Sequence, residues 1–131
     1  MSPRRTFTYR DVDIFRPYPD EIPWELLEQV GSDTEAVDVD LLRVAKLDGE
    51  PVGVYQLGVR SATCYVLVSL AVVPECRRRG LGRWLLGHAI GIAESKGARE
   101  IRIAGAPLKG LFQRSGFVAD ADELVLRLMP E

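Results

Sequence analysis

Four arginines and two glycines are packed into residues 77–83, reading RRRGLGR, shortly after a largely apolar run that stops at Pro74. A strand that ends in a glycine-containing basic turn and feeds a helix start is suited to holding an anion. The first backbone N–H groups of a helix have no partner within it, and the helix dipole adds about half a positive charge at that end. Gly80 and Gly82 let a phosphate approach the backbone with no Cβ in the way. The same residues also read more plainly, as solvated surface charge and a tight turn without a ligand. Cys76 lies in this turn and is either a candidate oxidation site or turn filler. His88, the only histidine, falls mid-helix beside the apolar stripe and reads as a boundary residue rather than a base.

A turn of this kind needs a strand before it and a helix after it. Residues 63–73 predict a largely apolar strand covered on both faces. Residues 81–96 predict a helix, with Leu81, Leu85, Ala89 and Ile92 at core spacing and Gly97 as its stop. EIRIAGA, residues 100–106, predicts a strand, so strand–turn–helix–strand makes a right-handed crossover to a parallel neighbour. Upstream, residues 41–47 and 51–60 read as strands joined by Asp48-Gly49, the strongest short hairpin signal in the chain. An antiparallel meander therefore precedes the turn.

The remaining segments are less regular. TFTYR, residues 6–10, predicts a short first strand. RPYPDEIP, residues 16–23, carries three prolines, which argues against regular structure before Pro23. Pro23 then opens a helix placing Trp24, Leu27 and Val30 on one face, with Gly31 ending it. The acidic residues 32–40 read as loop or a single helical turn. Residues 108–114 predict a short helix closed by Ser115-Gly116, and residues 123–128 a last strand. The expected fold class is α/β, with one mixed sheet in a single domain spanning residues 1–131.

With 131 residues, 47% hydrophobic and 27% charged, the chain has ordinary globular composition and enough length for a real core. No apolar run approaches the roughly 20 residues that cross a membrane. The N-terminus lacks the apolar centre of a secretory signal. Cys64 and Cys76 form no metal-spaced pattern. The expectation is a cytoplasmic protein with reduced thiols, no metal and no membrane contact. Residues 1–50 hold 12 acidic against 6 basic side chains, and residues 51–131 hold 7 against 11. No concentrated basic face suggests nucleic acid. The acidic half could face a cationic substrate or simply be solvated.

Residues 70–82 resemble the acetyl-CoA signature of the GNAT superfamily of N-acetyltransferases. That signature is a hydrophobic strand ending in Val-x-Pro, then Gln/Arg-x-x-Gly-x-Gly/Ala. Here it reads Val72-Val73-Pro74, then Arg77-Arg78-Arg79-Gly80-Leu81-Gly82. LFQRSGF, residues 111–117, is similar to the family's closing helix and Gly-Phe turn. Element order agrees from about residue 41 onward, whereas the first forty residues match loosely and imply a shortened N-terminal helical region. The turn is unlike a P-loop, which needs Gly-x4-Gly-Lys-Ser/Thr. It is unlike a Rossmann turn, because an antiparallel meander precedes it.

The resemblance implies that acetyl-CoA is the cosubstrate. Its pyrophosphate would rest on the backbone of residues 78–83, with Gly80 and Gly82 as close-approach positions and Leu81 between them. Arg77 takes the signature's Gln/Arg position, and Arg78, Arg79 and Arg83 complete the basic turn. Pantetheine would lie along Leu70, Ala71 and Val72, with the Val72 amide meeting the thioester carbonyl. The chemistry implied is direct attack of an amine on the thioester, which needs a base, an oxyanion donor and an acid for the departing thiolate.

The sequence departs from the family at those chemical positions. The usual general-acid tyrosine is replaced by Phe112, which belongs to the cofactor-side group. The upstream asparagine is absent, with Gly105 and Ala106 there. No carboxylate lies between Arg60 and Glu75. Tyr65 and Ser69, expected on one face of the long strand, and Tyr55 on its neighbour are the substitute catalytic candidates. The tyrosines also read as core aromatics with a satisfied hydroxyl. Glu25, Glu28, Asp38 and Asp40 fall in the region that would face the acceptor. The function implied is N-acetyl transfer to a primary amine of a small molecule or peptide. The alternative is a weakly catalytic or inactive acetyl-CoA-binding regulator of a protein partner. A homodimer through the last strand is a further expectation.

Overall fold

The computed structural model describes residues 11–29, 38–76, 80–104 and 109–128. Its centre is the predicted meander. Strands β2 (Leu42–Leu47), β3 (Glu50–Val59) and β4 (Cys64–Val72) pair antiparallel, β2 with β3 and β3 with β4. The β2–β3 turn has Asp48 at φ 52° and Gly49 at φ 81°. Both left-handed residues are what a tight hairpin turn of matching twist requires. Helix α2 (Leu81–Ser95) follows β4, and β5 (Glu100–Ala104) returns parallel to β4. Gly97, at φ 94°, ends the helix, with the Ala98 amide donating back to Ala93 O at 3.0 Å. A short helix α3 (Lys109–Arg114) leads on through Gly116, at φ 98°.

Several elements differ from expectation. A strand β1 (Val12–Phe15) pairs antiparallel with β2, where the sequence suggested none, while residues 6–10 lie outside the described residues. Val12 is buried and Asp13 exposed, so the alternation is real but only two residues deep. The proline segment holds a 3-10 turn at Pro19–Glu21, with the Tyr18 amide donating to Glu21 Oε1 at 3.0 Å. Proline costs nothing at the first position of such a turn. Helix α1 (Trp24–Gln29) buries Leu26 and Leu27 and leaves Trp24 exposed, so its inner face is rotated from the one expected; Val30 and Gly31 lie outside the described residues. The acidic segment ends in a 3-10 turn at Val39–Leu41. The last strand, β7 (Glu123–Arg127), is paired by an unforeseen strand β6 (Val118–Asp120), whose residues are all exposed.

These strands form one seven-stranded sheet in the order β1-β2-β3-β4-β5-β7-β6. Only the β4–β5 pair is parallel. Helix α2 packs on one face, where Leu81, Leu85, Leu86 and Ala89 meet Tyr55, Leu57, Tyr65, Leu67 and Leu70. Helix α1 packs on the other, where Leu26 and Leu27 meet Leu42, Val44, Val54 and Ala71. The expected mixed α/β fold is present, in three layers.

Candidate functional site

The feature that sets the site apart is where β4 stops pairing. Cys64, Tyr65 and Val66 pair with Glu100, Ile101 and Arg102, but no residue of β4 beyond Val66 pairs with β5. On its other edge β4 remains paired with β3 as far as Val72. Among the described residues the two parallel strands therefore part beyond Val66, and this gap in their pairing is the opening beside the C-terminal half of β4. A local cause lies at Val68. Gln56 opposes Ser69 while Leu57 opposes Leu67, so Val68 is an extra residue bulged out of β4. A bulge bends its strand and increases the local twist. It also leaves Val68 47% exposed, so β4 is not covered throughout as the sequence suggested.

Backbone orientation along the opening follows from one bond. The Val73 amide donates to Val52 O at 2.9 Å, toward β3. By antiparallel alternation the Ala71 amide also faces β3, while those of Leu70 and Val72 turn toward the opening. At the end of β4 the chain reaches α2. Gly80 caps that helix at φ 82°, a left-handed conformation that favours glycine, and supplies no side-chain cap. Trp84 donates to Gly80 O at 3.0 Å. The amides of Leu81, Gly82 and Arg83 precede it and have no helical acceptor. Arg77, Arg78 and Arg79 lie outside the described residues. Arg83 is exposed and, with Gly80, Trp84, Gly87 and His88, lines an open groove of about 580 Å³ along α2.

Gly82 is informative because the protein does not demand it. A Cβ there would meet Leu111 Cδ2 at 3.7 Å and Val72 Cγ2 at 3.9 Å, which is ordinary contact. Its φ lies outside the left-handed region.

The hydroxyl candidates do not converge. The bulge reverses side-chain parity, so Ser69 shares a face with Gln56 while Tyr65 shares the opposite face with Leu57 and Leu67. Tyr65 and Ser69 are thus on opposite faces, a correction to the spacing argument, which counted two residues per pleat through the bulge. Tyr65 is buried in the α2-side core, at the end of β4 still paired with β5. Tyr55 is fully buried, and its Oη lies 2.6 Å from His88 Nδ1. Burial pushes the Tyr55 hydroxyl well above its ordinary pKa. Burial, and then the Arg43 charge, hold His88 below 6.5. With both groups neutral, the hydroxyl donates when the ring carries its proton on Nε2. Tyr55 is a core aromatic with a satisfied hydroxyl, and His88 is a boundary residue. Phe112 is buried, with its ring edge-on to Phe117 at 5.7 Å between centroids. Cys76 is fully buried in the same core, as a turn filler would be.

Gln56 went unremarked in the sequence. It is 4% exposed and Ser69 is 7% exposed; Gln56 Oε1 and Ser69 Oγ are both buried without a hydrogen-bond partner. A lone uncharged polar residue inside VGVYQLGV was the available signal. Among the described residues no group of three or more His, Cys, Asp or Glu could hold a metal ion, and no helix is long and apolar enough to cross a membrane.

The sequence model of the Acetyltransferase (GNAT) family matches residues 5–117. The chain belongs to the GNAT acetyltransferase family. No curated protein matches it in sequence. Solved structures agree on the fold. A GNAT family acetyltransferase from Elizabethkingia anophelis with acetyl-CoA bound superposes with a TM-score of 0.75 at 21% identity, covering 90% of this chain and 99% of that one. An IAA acetyltransferase from Bacillus cereus is similar at a TM-score of 0.73 and 23% identity, covering 89% and 99%. N-acetylglutamate synthase from Neisseria gonorrhoeae, complexed with coenzyme A and L-arginine, gives 0.80 at 21% identity over 91% of this chain. This chain spans about a third of that synthase, 34% of its length.

Proposed function

We propose that this GNAT protein is an acetyl-CoA-dependent N-acetyltransferase acting on a primary amine of a small molecule or peptide. The observation that carries the reading is the opening beside β4, with the start of α2, which has no side-chain cap, at its end. The backbone edge at Leu70, Ala71 and Val72 suits a pantetheine arm laid down like an added strand, which needs alternating amides and carbonyls. The amides of Leu81, Gly82 and Arg83 suit a pyrophosphate, with Gly80 turning the chain into them. Gly82 supports this assignment, since glycine inside a helix costs about 0.5–1 kcal/mol relative to alanine and no packing contact requires it. Arg77, Arg78, Arg79 and Arg83 add positive charge to the same turn.

The reaction is attack of a neutral amine nitrogen on the thioester carbonyl, forming the amide and releasing the CoA thiol. The acidic side chains Glu25, Glu28 and Asp38 are exposed on α1 and beside the 3-10 turn before β2, and would attract a cationic amine. Neither Cys64 nor Cys76 is in a disulfide, in keeping with a cytoplasmic setting as part of this proposal. Thiol release from acetyl-CoA, followed colorimetrically with diamines, polyamines, amino acids and short peptides, tests the reading. Amine-dependent release supports it. Tight acetyl-CoA binding with no release across the panel refutes it.

A second reading has its own support. Phe112 carries no proton to give, Tyr55 is tied to His88 and Tyr65 is in the core. A protein that binds acetyl-CoA to regulate a partner needs no acid, and it predicts acetyl-CoA-dependent capture of that partner without turnover.

A further inference from the structure

Helix α2 turns one face away from the sheet. Gly80, Arg83, Gly87, Gly91 and Glu94 are all exposed, and their spacing of three or four residues sets them in one row, opposite the buried Leu81, Leu85 and Ala89. A Cβ at Gly87 or Gly91 would meet nothing within 4 Å, and neither residue has the left-handed φ that favours glycine. Glycine in mid-helix weakens the helix relative to alanine, so the fold alone does not call for these two. What they provide is a stretch of helix surface without side chains. The groove of about 580 Å³ lies along this face, lined by Gly80, Arg83, Trp84, Gly87 and His88. Those are positions i, i+3, i+4, i+7 and i+8 of one helix, the arrangement into which a second helix packs.

The charges at the two ends of the row select which helix fits. Glu94 lies about 16 Å beyond Arg83 along the axis, at roughly 1.5 Å per residue. Among the described residues neither side chain is in an ion pair. We infer that this face is an interface between two copies of this chain, α2 against α2, antiparallel about a two-fold axis at Gly87. A two-fold axis makes the face complementary to itself. Gly87 faces its own copy, and Arg83 lies over Gly91 of the second copy. Helical side chains lean toward the helix N-terminus, so Arg83 reaches on toward Glu94 of the second copy while that carboxylate leans back to meet it. The contact occurs twice. A parallel pair would set Arg83 against Arg83 and Glu94 against Glu94, so charge favours the antiparallel one. The groove along residues 80–88 then faces residues 86–94 of the second copy. The last strand, β7, where the sequence suggested contact between copies, is paired on both edges, by β5 and β6. Gly82, on another side of α2, is the residue near Val72 and Leu111, so the exposed row points away from the opening beside β4. The interface therefore stands apart from the acetyl-transfer reading, and Arg83 is the one side chain they share.

The test is sedimentation equilibrium of the full chain without CoA, from about 5 μM to about 0.5 mM, a range that reaches weak association. The expected result is a monomer–dimer equilibrium with a dissociation constant of about 10–100 μM, as suits a contact one helix long, at the small end of interface sizes. Added salt should weaken it, because the paired charges are exposed. Arg83→Glu and Glu94→Arg should each raise the constant about tenfold or more, and the two together should restore it to within about threefold of the parent. Gly87→Gln should abolish the dimer while raising the urea midpoint, since glutamine is the better helix former. That separates loss of the contact from loss of the fold. A protein that stays monomeric throughout the range overturns the proposal. So does a dimer that survives the single reversals or Gly87→Gln, which would place the contact on another face. A double reversal that remains as weak as the singles overturns the antiparallel pairing.

Discussion

Replacing Gly53 by alanine probes the packing that seats α2 on the sheet. Gly53 lies opposite Val72, at the end of β4 from which the anion-suited turn departs. A Cβ at Gly53 would stand 2.7 Å from Leu85 Cδ1, 3.3 Å from Ala71 O and 3.8 Å from Ala45 Cβ. Carbon atoms in contact prefer about 3.5–4.0 Å, so the end of Leu85 must retreat by about 1 Å. Leu85 is fully buried on α2, leaving it little room. Overpacking of this kind costs about 1–3 kcal/mol, offset in part by the roughly 0.5–1 kcal/mol that alanine gains over glycine within a strand. The expected net loss for Gly53→Ala is about 1–2 kcal/mol. Leu85→Ala alone should cost about 2–5 kcal/mol through the cavity it leaves. Combined, the new methyl occupies part of that cavity, so the double variant should be more stable than the sum of the two losses by about 0.5–3 kcal/mol. Urea unfolding of the four proteins, followed by circular dichroism, gives each value. A neutral Gly53→Ala together with strict additivity would refute this account of how α2 is held.

Other predictions concern charge and position 112. His88, the only histidine, should titrate below 6.5 by NMR, because burial first and Arg43 second disfavour its cation. Its contribution to stability is therefore present above about pH 6.5 and lost as pH falls below it, and Arg43→Met should move the titration upward. Glu123 is held at about 2 by its hydrogen bonds first to Arg60 and then to Arg102, from an ordinary 4.5. That stability is complete above about pH 4.5 and disappears as pH falls toward 2, so the urea midpoint should drop across this window and drop less steeply in Arg60→Ala. If the absence of a tyrosine at position 112 limits the rate, Phe112→Tyr should raise kcat with acetyl-CoA affinity unchanged. An unaltered kcat in a folded variant would place the limit elsewhere.

How far the sequence could be read depended on whether the signal was local. The Asp48-Gly49 hairpin, the core stripe of α2 and its Gly97 stop are local patterns, and each element formed where it was expected. Arg77, Arg78 and Arg79 lie outside the described residues, while the turn into α2 at Gly80, with φ 82°, was legible for the same reason. Edge strands were not. Val12–Phe15 is a strand because β2 offers it an edge, and Val118–Asp120 because β7 does, with little burial of their own. The site suffered most from the bulge. Nothing in CYVLVSLAV marks Val68 as the extra residue, yet it separates Tyr65 from Ser69 and brings Ser69 opposite Gln56. A polar pair defined by cross-strand register is invisible to a reading along one strand.

The most direct measurement follows the carbonyl carbon itself. Acetyl-CoA labelled with carbon-13 at the thioester carbonyl, mixed with the protein and putrescine, is observed by NMR until the thioester signal is spent. The account predicts that this signal is replaced by an amide carbonyl, one for each CoA thiol released, and only when the amine is present. A thioester that stays unchanged while bound, or one that becomes acetate at the same rate without amine, would contradict it.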